Sequence, residues 1–197
     1  MTVKLYIADI SSLDIEKAMS AVSDARREKA RRLRSDKNKR QSLGAALLLY
    51  RAVNGGEPFD CSVSPHGKPY CEGKAHFNLS HSKSMVVCAV SDCEVGVDIQ
   101  AKTHDHLEIA KRFFTEAEYE SILRSSDPDA LFNKLWVMKE SYIKAMGTGL
   151  SASLSGFEAN EHIGEYSLRH IEYGDYDIAI CARTDRLGDI EIHEEIL

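Results

Sequence analysis

Proline is scarce, with four in 197 residues, and the twelve glycines are spread out. No stretch concentrates either residue, so a low-complexity linker is excluded. With an apolar fraction of 43%, disorder as the main state is excluded too. Long apolar runs are also missing. The longest uncharged, apolar-rich run covers residues 41–50, too short for the roughly 20 residues that span a bilayer. The first nine residues are interrupted by Lys4 and Asp9 and lack a small-residue cleavage site, so neither a membrane span nor an export signal is expected. Cysteine is sparse: Cys61, Cys71, Cys88, Cys93 and Cys181 are odd in number and contain no Cys-x-x-Cys pair. A zinc site or a disulfide framework is not expected, and reduced thiols in a cytoplasmic protein are.

What is present begins with charge. The chain is −6 overall, which argues against bulk affinity for nucleic acid. Residues 26–40, however, hold nine basic and two acidic residues, a segment of +7 on a remainder of −13. A basic patch on an acidic protein points to a confined anionic partner. The alternatives are a solvated helix face or a nucleic-acid-binding module. The second is disfavoured because the run has no interleaved aromatics.

The patterning alternates between periods. Lys4 to Asp9 reads as a strand, and Ser11 or Ser12 can cap a helix to about Val22. Ser23 can cap a second helix carrying the basic run. Leu43, Leu47 and Tyr50, with Ala46, Leu49 and Val53, recur at helical spacing until Asn54-Gly55-Gly56. Pro65-His66-Gly67-Lys68-Pro69 is turn chemistry. Ala75 to Leu79, Met85 to Val90 and Val95 to Ile99 read as strands.

Leu107 to Phe114 then reads as a helix. Thr115 and Glu118 make a capping box, and Asp127-Pro128 opens a helix that ends at Gly147. The tail offers strands near Phe157, Tyr166 to Ile171, Tyr176 to Ala182 and Ile190 to His193. The expected fold class is α/β of the α+β type. It has two similar halves, 1–101 and 102–197, each reading as helices followed by a small antiparallel sheet. Val86-Val87-Cys88-Ala89-Val90 faintly matches Ile178-Ala179-Ile180-Cys181-Ala182.

Chemistry-bearing residues fall in three places. On the helix from Pro128, Leu131, Leu135, Met138 and Tyr142 form the expected core stripe, and Trp136, Glu140 and Lys144 form a second face. Glu140 and Lys144 read as an ordinary i,i+4 ion pair when taken alone. In Val95-Gly96-Val97-Asp98-Ile99-Gln100, alternation puts Gly96, Asp98 and Gln100 on one face of a strand. Carboxylates on separate elements are what Mg²⁺ takes beside a phosphate. Asn78-Leu79-Ser80-His81-Ser82 gathers an amide, hydroxyls and an imidazole that suit phosphate. A Ser-His nucleophile pair is disfavoured, because neighbours on a strand point to opposite faces.

The order of these motifs carries a resemblance. Gly67-Lys68-Pro69 is followed by Phe77-Asn78-Leu79-Ser80-His81-Ser82 and Gly96-Val97-Asp98-Ile99. Arg112-Phe113-Phe114-Thr115-Glu116-Ala117-Glu118-Tyr119 comes next. Leu135-Trp136-Val137-Met138-Lys139-Glu140-Ser141-Tyr142-Ile143-Lys144 and Gly147-Thr148-Gly149-Leu150 complete the series. From about Ser23 to Gly156 the chain resembles the Sfp-like, surfactin-synthetase-activating class of 4′-phosphopantetheinyl transferases.

The resemblance implies a reaction, a site and a shape. The phosphopantetheine arm of coenzyme A moves to a serine of an apo carrier protein, whether acyl, peptidyl or aryl, leaving 3′,5′-adenosine bisphosphate. Two similar α/β halves, related by a pseudo-twofold, hold the site in the cleft between them, and the protein is a monomer. Asp98 and Glu140 match metal-binding carboxylates, with Glu118 a third acidic position near the metal. Mg²⁺ is the implied ion and Mn²⁺ the alternative. Glu140 is the implied base. Lys144 matches a phosphate contact, and Lys68, Ser80 and His81 match positions that hold the nucleotide end. Arg26, Lys29 and Arg40 lie where relatives reach the coenzyme. Gln100 departs from the pattern, standing where many relatives carry glutamate. That weakens the implied metal shell and leaves open a catalytically weak relative that only binds coenzyme A or carrier.

Overall fold

Ten strands and six helices are formed among residues 2–104, 106–149 and 153–197, the residues described by a computed structural model. Leu150 of the Gly-Thr-Gly-Leu motif lies outside the described residues. In chain order the elements are β1 (Val3–Asp9), α1 (Ile15–Ser20), α2 (Asp24–Arg31), α3 (Asp36–Asn54), β2 (Ser62–Val63) and β3 (Pro69–Tyr70). Then come β4 (His76–Ser82), β5 (Met85–Ser91), β6 (Val95–Ala101), α4 (Leu107–Phe113), α5 (Glu116–Arg124) and α6 (Pro128–Met146). The chain closes with β7 (His162–Ile163), β8 (Tyr166–Tyr173), β9 (Tyr176–Arg183) and β10 (Ile190–Glu195).

One pattern is used twice. A strand, three helices and a hairpin form β1–α1–α2–α3–β4–β5, and then β6–α4–α5–α6–β8–β9. In each copy the opening strand pairs with the last strand of the hairpin, giving sheets β10-β1-β5-β4 and β6-β9-β8-β7. The fold class is the expected one. The repeat, however, opens with a strand rather than with helices. β6 bonds to β9 and so belongs to the second sheet, although it lies within residues 1–101. β10 crosses back to pair in parallel with β1. The faintly similar segments of the sequence are the equivalent strands β5 and β9.

Strand alternation builds four layers. Val87 and Ala89 of β5, Leu5 and Ile7 of β1, Val97 and Ile99 of β6, and Ile178 and Ile180 of β9 meet in one core between the two sheets. The opposite faces of β1 and β5 pack on α1–α3 through residues such as Leu43, Leu48 and Tyr50. Ala179 and Cys181 of β9 pack on Val137, Met138 and Ala145 of α6. Each fully buried aliphatic side chain contributes about 1.5–3 kcal/mol.

Local chemistry sets the ends of the helices. Ser23 caps α2, Thr115 and Glu118 complete the capping box of α5, and Asp127 caps α6 with Pro128 at its first turn. Gly55 and Gly147 close α3 and α6 in the left-handed region that a side chain disfavours. Two expectations are corrected. Ser11 belongs to a turn in which its N–H donates to Asp9, so α1 starts later, capped by Asp14. Near Phe157 the chain forms a 3-10 turn over Leu154–Gly156 rather than a strand.

Candidate active site

The two sheets meet edge to edge without a backbone ladder. Instead, side chains on one face of β4 bond to the free N–H groups of β6. Asn78 Oδ1 accepts from Val97 N at 3.0 Å, Ser80 Oγ from Ile99 N at 3.4 Å, and Ser82 Oγ from Ala101 N at 3.0 Å. The polar Asn-Leu-Ser-His-Ser run is therefore a seam that satisfies buried donors. His81, between buried Ser80 and Ser82, is only partly covered and sits at the rim of the cavity that holds Asp98.

Gly96 brings α6 down onto this seam. A Cβ at that position would lie 2.1 Å from the Ser141 carbonyl oxygen and 2.3 Å from the Ala145 nitrogen. Only glycine lets the strand and the helix backbone approach so closely. Asp98, two residues on, then faces the last turns of α6. Val95, Val97 and Ile99 face the inter-sheet core, as alternation predicts.

One cavity of about 350 Å³ collects the polar groups. It is lined by Leu79, Ser80, His81, Asp98, Ile99, Gln100, Trp136, Glu140 and Lys144. Asp98 is buried, and its Oδ1 accepts from Ser80 Oγ at 2.7 Å and from Lys144 Nζ at 2.6 Å. Lys144 Nζ also donates to Ser80 Oγ at 2.9 Å. The ammonium thus reaches across to β6 and β4 instead of one turn back to Glu140. Burial first, and the Asp98 charge second, raise the Glu140 carboxyl above its ordinary range, while Lys144 opposes them. His81 is lowered, by burial first and by the Lys144 charge next.

A second cavity of about 570 Å³ adjoins the first and shares Leu79, Glu140 and Lys144 with it. His66 to Pro69 form one wall, and Phe113, Ile143 and Leu154 supply apolar surface. Lys68 enters from the β2–β3 turn. Its Nζ donates to the Val95 oxygen at 3.1 Å and the Ala145 oxygen at 2.9 Å, and burial lowers its pKa.

Glu118 is committed elsewhere. Its Oε2 accepts from Thr115 N at 3.0 Å and lies 2.8 Å from Lys139 Nζ, and its Oε1 accepts from Ala159 N at 2.7 Å. Among the described residues no three His, Cys, Asp or Glu side chains cluster as metal ligands. Glu118, expected near the metal, does not line the Asp98 cavity and instead neutralises a fully buried lysine. Lys139 also donates to the carbonyl oxygens of Leu154 and Phe157 and lies over the Phe157 ring. Sequence reasoning missed this pair, although the signal was available. Lys139 stands four residues after Leu135 and three before Tyr142, on the apolar stripe, where a charge needs a buried partner.

The basic run divides between α2 and α3. Three of its charges are paired locally, Arg27 with Asp24, Arg31 with Glu28 and Lys39 with Asp36. Arg40 donates to the Leu13 oxygen and lines a small cavity with Lys37 and Lys83. Arg26 is half-buried and Lys29 exposed on α2. None of Arg26, Lys29 and Arg40 lines the Asp98 cavity.

The family model described as the 4′-phosphopantetheinyl transferase superfamily matches residues 94–188. A Bacillus subtilis 4′-phosphopantetheinyl transferase is 39% identical over 158 residues, covering 75% of this chain and 70% of the relative. The B. subtilis 4′-phosphopantetheinyl transferase Sfp is 35% identical over 162 residues, covering 78% and 72%. The Bacillus pumilus 4′-phosphopantetheinyl transferase psf-1 is 31% identical over 223 residues, covering 98% and 94%. Among solved structures, the Thermotoga maritima holo-[acyl-carrier-protein] synthase overlaps 48% of this chain and 64% of its own, at 20% identity and a TM-score of 0.41.

Proposed function

This chain belongs to the 4′-phosphopantetheinyl transferase superfamily, and from that premise we propose how its site works. It transfers the 4′-phosphopantetheine group of coenzyme A to a serine of an apo carrier protein. In our reading the other product is 3′,5′-adenosine bisphosphate. The observation that carries this reading is the single cavity where Asp98, Gln100, Glu140 and Lys144 meet Ser80 and His81.

The donor set fits a hard divalent ion. Two carboxylate residues and a glutamine line one cavity, and Asp98 already accepts a cation, the Lys144 ammonium. Asp98 and Glu140 would hold Mg²⁺, or Mn²⁺ in its place, with Gln100 bonding directly or through water. When bound, the ion neutralises the coenzyme pyrophosphate and polarises the phosphate under attack.

The chain's own groups do the rest. Glu140, whose burial makes it a stronger base than an exposed carboxylate, takes the proton of the incoming serine. Lys144 stabilises charge on the departing phosphate, as an ammonium in a dry site does. His81 holds the nucleotide end, with Lys68 in the adjoining cavity, while Ser80 positions Asp98 and Lys144. Arg26, Lys29 and Arg40 lie outside the Asp98 cavity, so any contact they make is with the coenzyme's 3′-phosphate end rather than its pyrophosphate. The apolar surface of the larger cavity suits the pantetheine arm. The five free thiols suit a reducing cytoplasm, and in our reading the protein works there as a monomer, the net charge of −6 disfavouring nucleic acid. No helix among the described residues is long and apolar enough to cross a membrane.

The test is to incubate the protein with coenzyme A, Mg²⁺ and a panel of apo carriers from fatty-acid, polyketide and peptide-synthetase systems. At least one carrier should gain the mass of one phosphopantetheine. No gain in any carrier overturns the reading.

A further inference from the structure

The β2–β3 hairpin carries two cysteines that the site described above does not use. β2 and β3 pair with Ser62 opposite Tyr70 and Val63 opposite Pro69. One step further along that register, Cys61 stands opposite Cys71. The phase of the ladder is set at the turn, where Ser64 N donates to the Lys68 oxygen at 2.9 Å. Position 64/68 is thus hydrogen-bonded and 63/69 is not, which suits Pro69, since proline has no N–H to offer. Cys61 and Cys71 share the phase of Val63 and Pro69, so they form a non-hydrogen-bonded pair. Such pairs bring the Cα atoms to about 4.5 Å, at the short end of the roughly 4.4–6.8 Å range that a disulfide bridges.

Both thiols are half-buried and pack on the α1–α3 core beside Phe59. They also touch. Burial, and then the bond to the Cys71 thiol, push Cys61 up to about 12. The hairpin forms a two-stranded sheet of its own and carries Lys68 to the edge of the larger cavity.

We propose that Cys61 and Cys71 are a reversible disulfide site whose closure staples the hairpin that presents Lys68. The oxidant is a low-molecular-weight disulfide of the glutathione class. One cysteine gives up its proton to solvent, and the thiolate attacks a sulfur of the small disulfide and expels a thiolate. The second cysteine, also deprotonated, attacks the mixed disulfide and expels the other. Two protein thiols become one S–S bond, and one small disulfide becomes two thiols. The link is undone by the same exchange run in reverse, with two small thiols as the reductant. Stapling removes ordering that coenzyme binding would otherwise require, so the oxidised form binds coenzyme A more tightly. This last point rests on the transferase reading.

The experiment equilibrates the full-length protein with oxidised and reduced glutathione, alkylates free thiols, digests without reduction and maps the peptides. The expected product is a Cys61–Cys71 link, with an intact mass lower by two hydrogens. In Cys61→Ser, Cys71 should stop at the mixed disulfide with glutathione. Separate mixed disulfides on both wild-type cysteines, full alkylation of both, or a link from Cys61 to the buried Cys88 would overturn the proposal. The map is read without coenzyme and so stands apart from the transferase reading. Calorimetry should then give a several-fold lower Kd for coenzyme A in the oxidised form. An equal or higher Kd overturns the stapling effect.

Discussion

The Lys144 ammonium lies 2.6 Å from Asp98 Oδ1, so in the absence of a metal the aspartate's counter-ion is a side chain from α6. A divalent ion bound at Asp98 must compete with it. Lys144→Met should therefore bind Mg²⁺ several-fold more tightly than the wild type when no coenzyme is present, by calorimetry. The same variant should lose transfer by about 10²–10³-fold, the usual effect of removing one charge-stabilising donor. Weaker metal binding in the variant would contradict the competition.

Glu140→Gln should lower transfer by about 10²–10⁴-fold, the range for a lost general base, while coenzyme binding measured without metal changes far less. It should also stabilise the metal-free protein at neutral pH. Folded Glu140 keeps its proton to a higher pH than an unfolded glutamate, by burial first and the Asp98 charge second. Folding therefore takes up a proton between the ordinary carboxylate range and the raised value, and stability falls as pH rises through that window. The variant's gain in Tm should appear above the window and vanish below it.

Lys139→Met should cost about 3–5 kcal/mol in urea unfolding, because it leaves Glu118 buried without its partner 2.8 Å away. Adding Glu118→Gln to that variant should recover part of the loss. Equal destabilisation in the single and double variants would show that the ion pair is not the source of the cost.

Gly96→Ala should destabilise the fold by roughly 1–3 kcal/mol or more, since its Cβ falls among backbone atoms of α6 that cannot move as a side chain does. Transfer should fall further than stability explains, because α6 carries Glu140 and Lys144. Unfolding and transfer assays on the same preparation separate the two effects.

Periodicity made much of this legible. The 3.6-residue spacing of Trp136, Glu140 and Lys144 and the alternation around Asp98 both hold in the structure, because each side chain's direction follows from its own element. Capping at Ser23, Thr115 and Asp127 is equally local. The strand-first repeat was not legible, because the partner of β6 is β9, some eighty residues later, and sequence order offered β5 instead. The seam of Asn78, Ser80 and Ser82 was hidden for a similar reason: nothing in β4 itself names the β6 donors those side chains satisfy. Glu118 drew a metal role from its place in a motif, while its actual partner is a lysine whose burial only the packed structure reveals.

The central claim is that Asp98 and Glu140, on a strand and a helix, jointly hold one divalent ion with coenzyme A. Calorimetric titration of Mg²⁺ into the coenzyme-bound protein tests it in wild type, Asp98→Asn and Glu140→Gln. The account predicts one site in the wild type and a large loss of affinity in each variant. Unchanged Mg²⁺ affinity in either variant would contradict it.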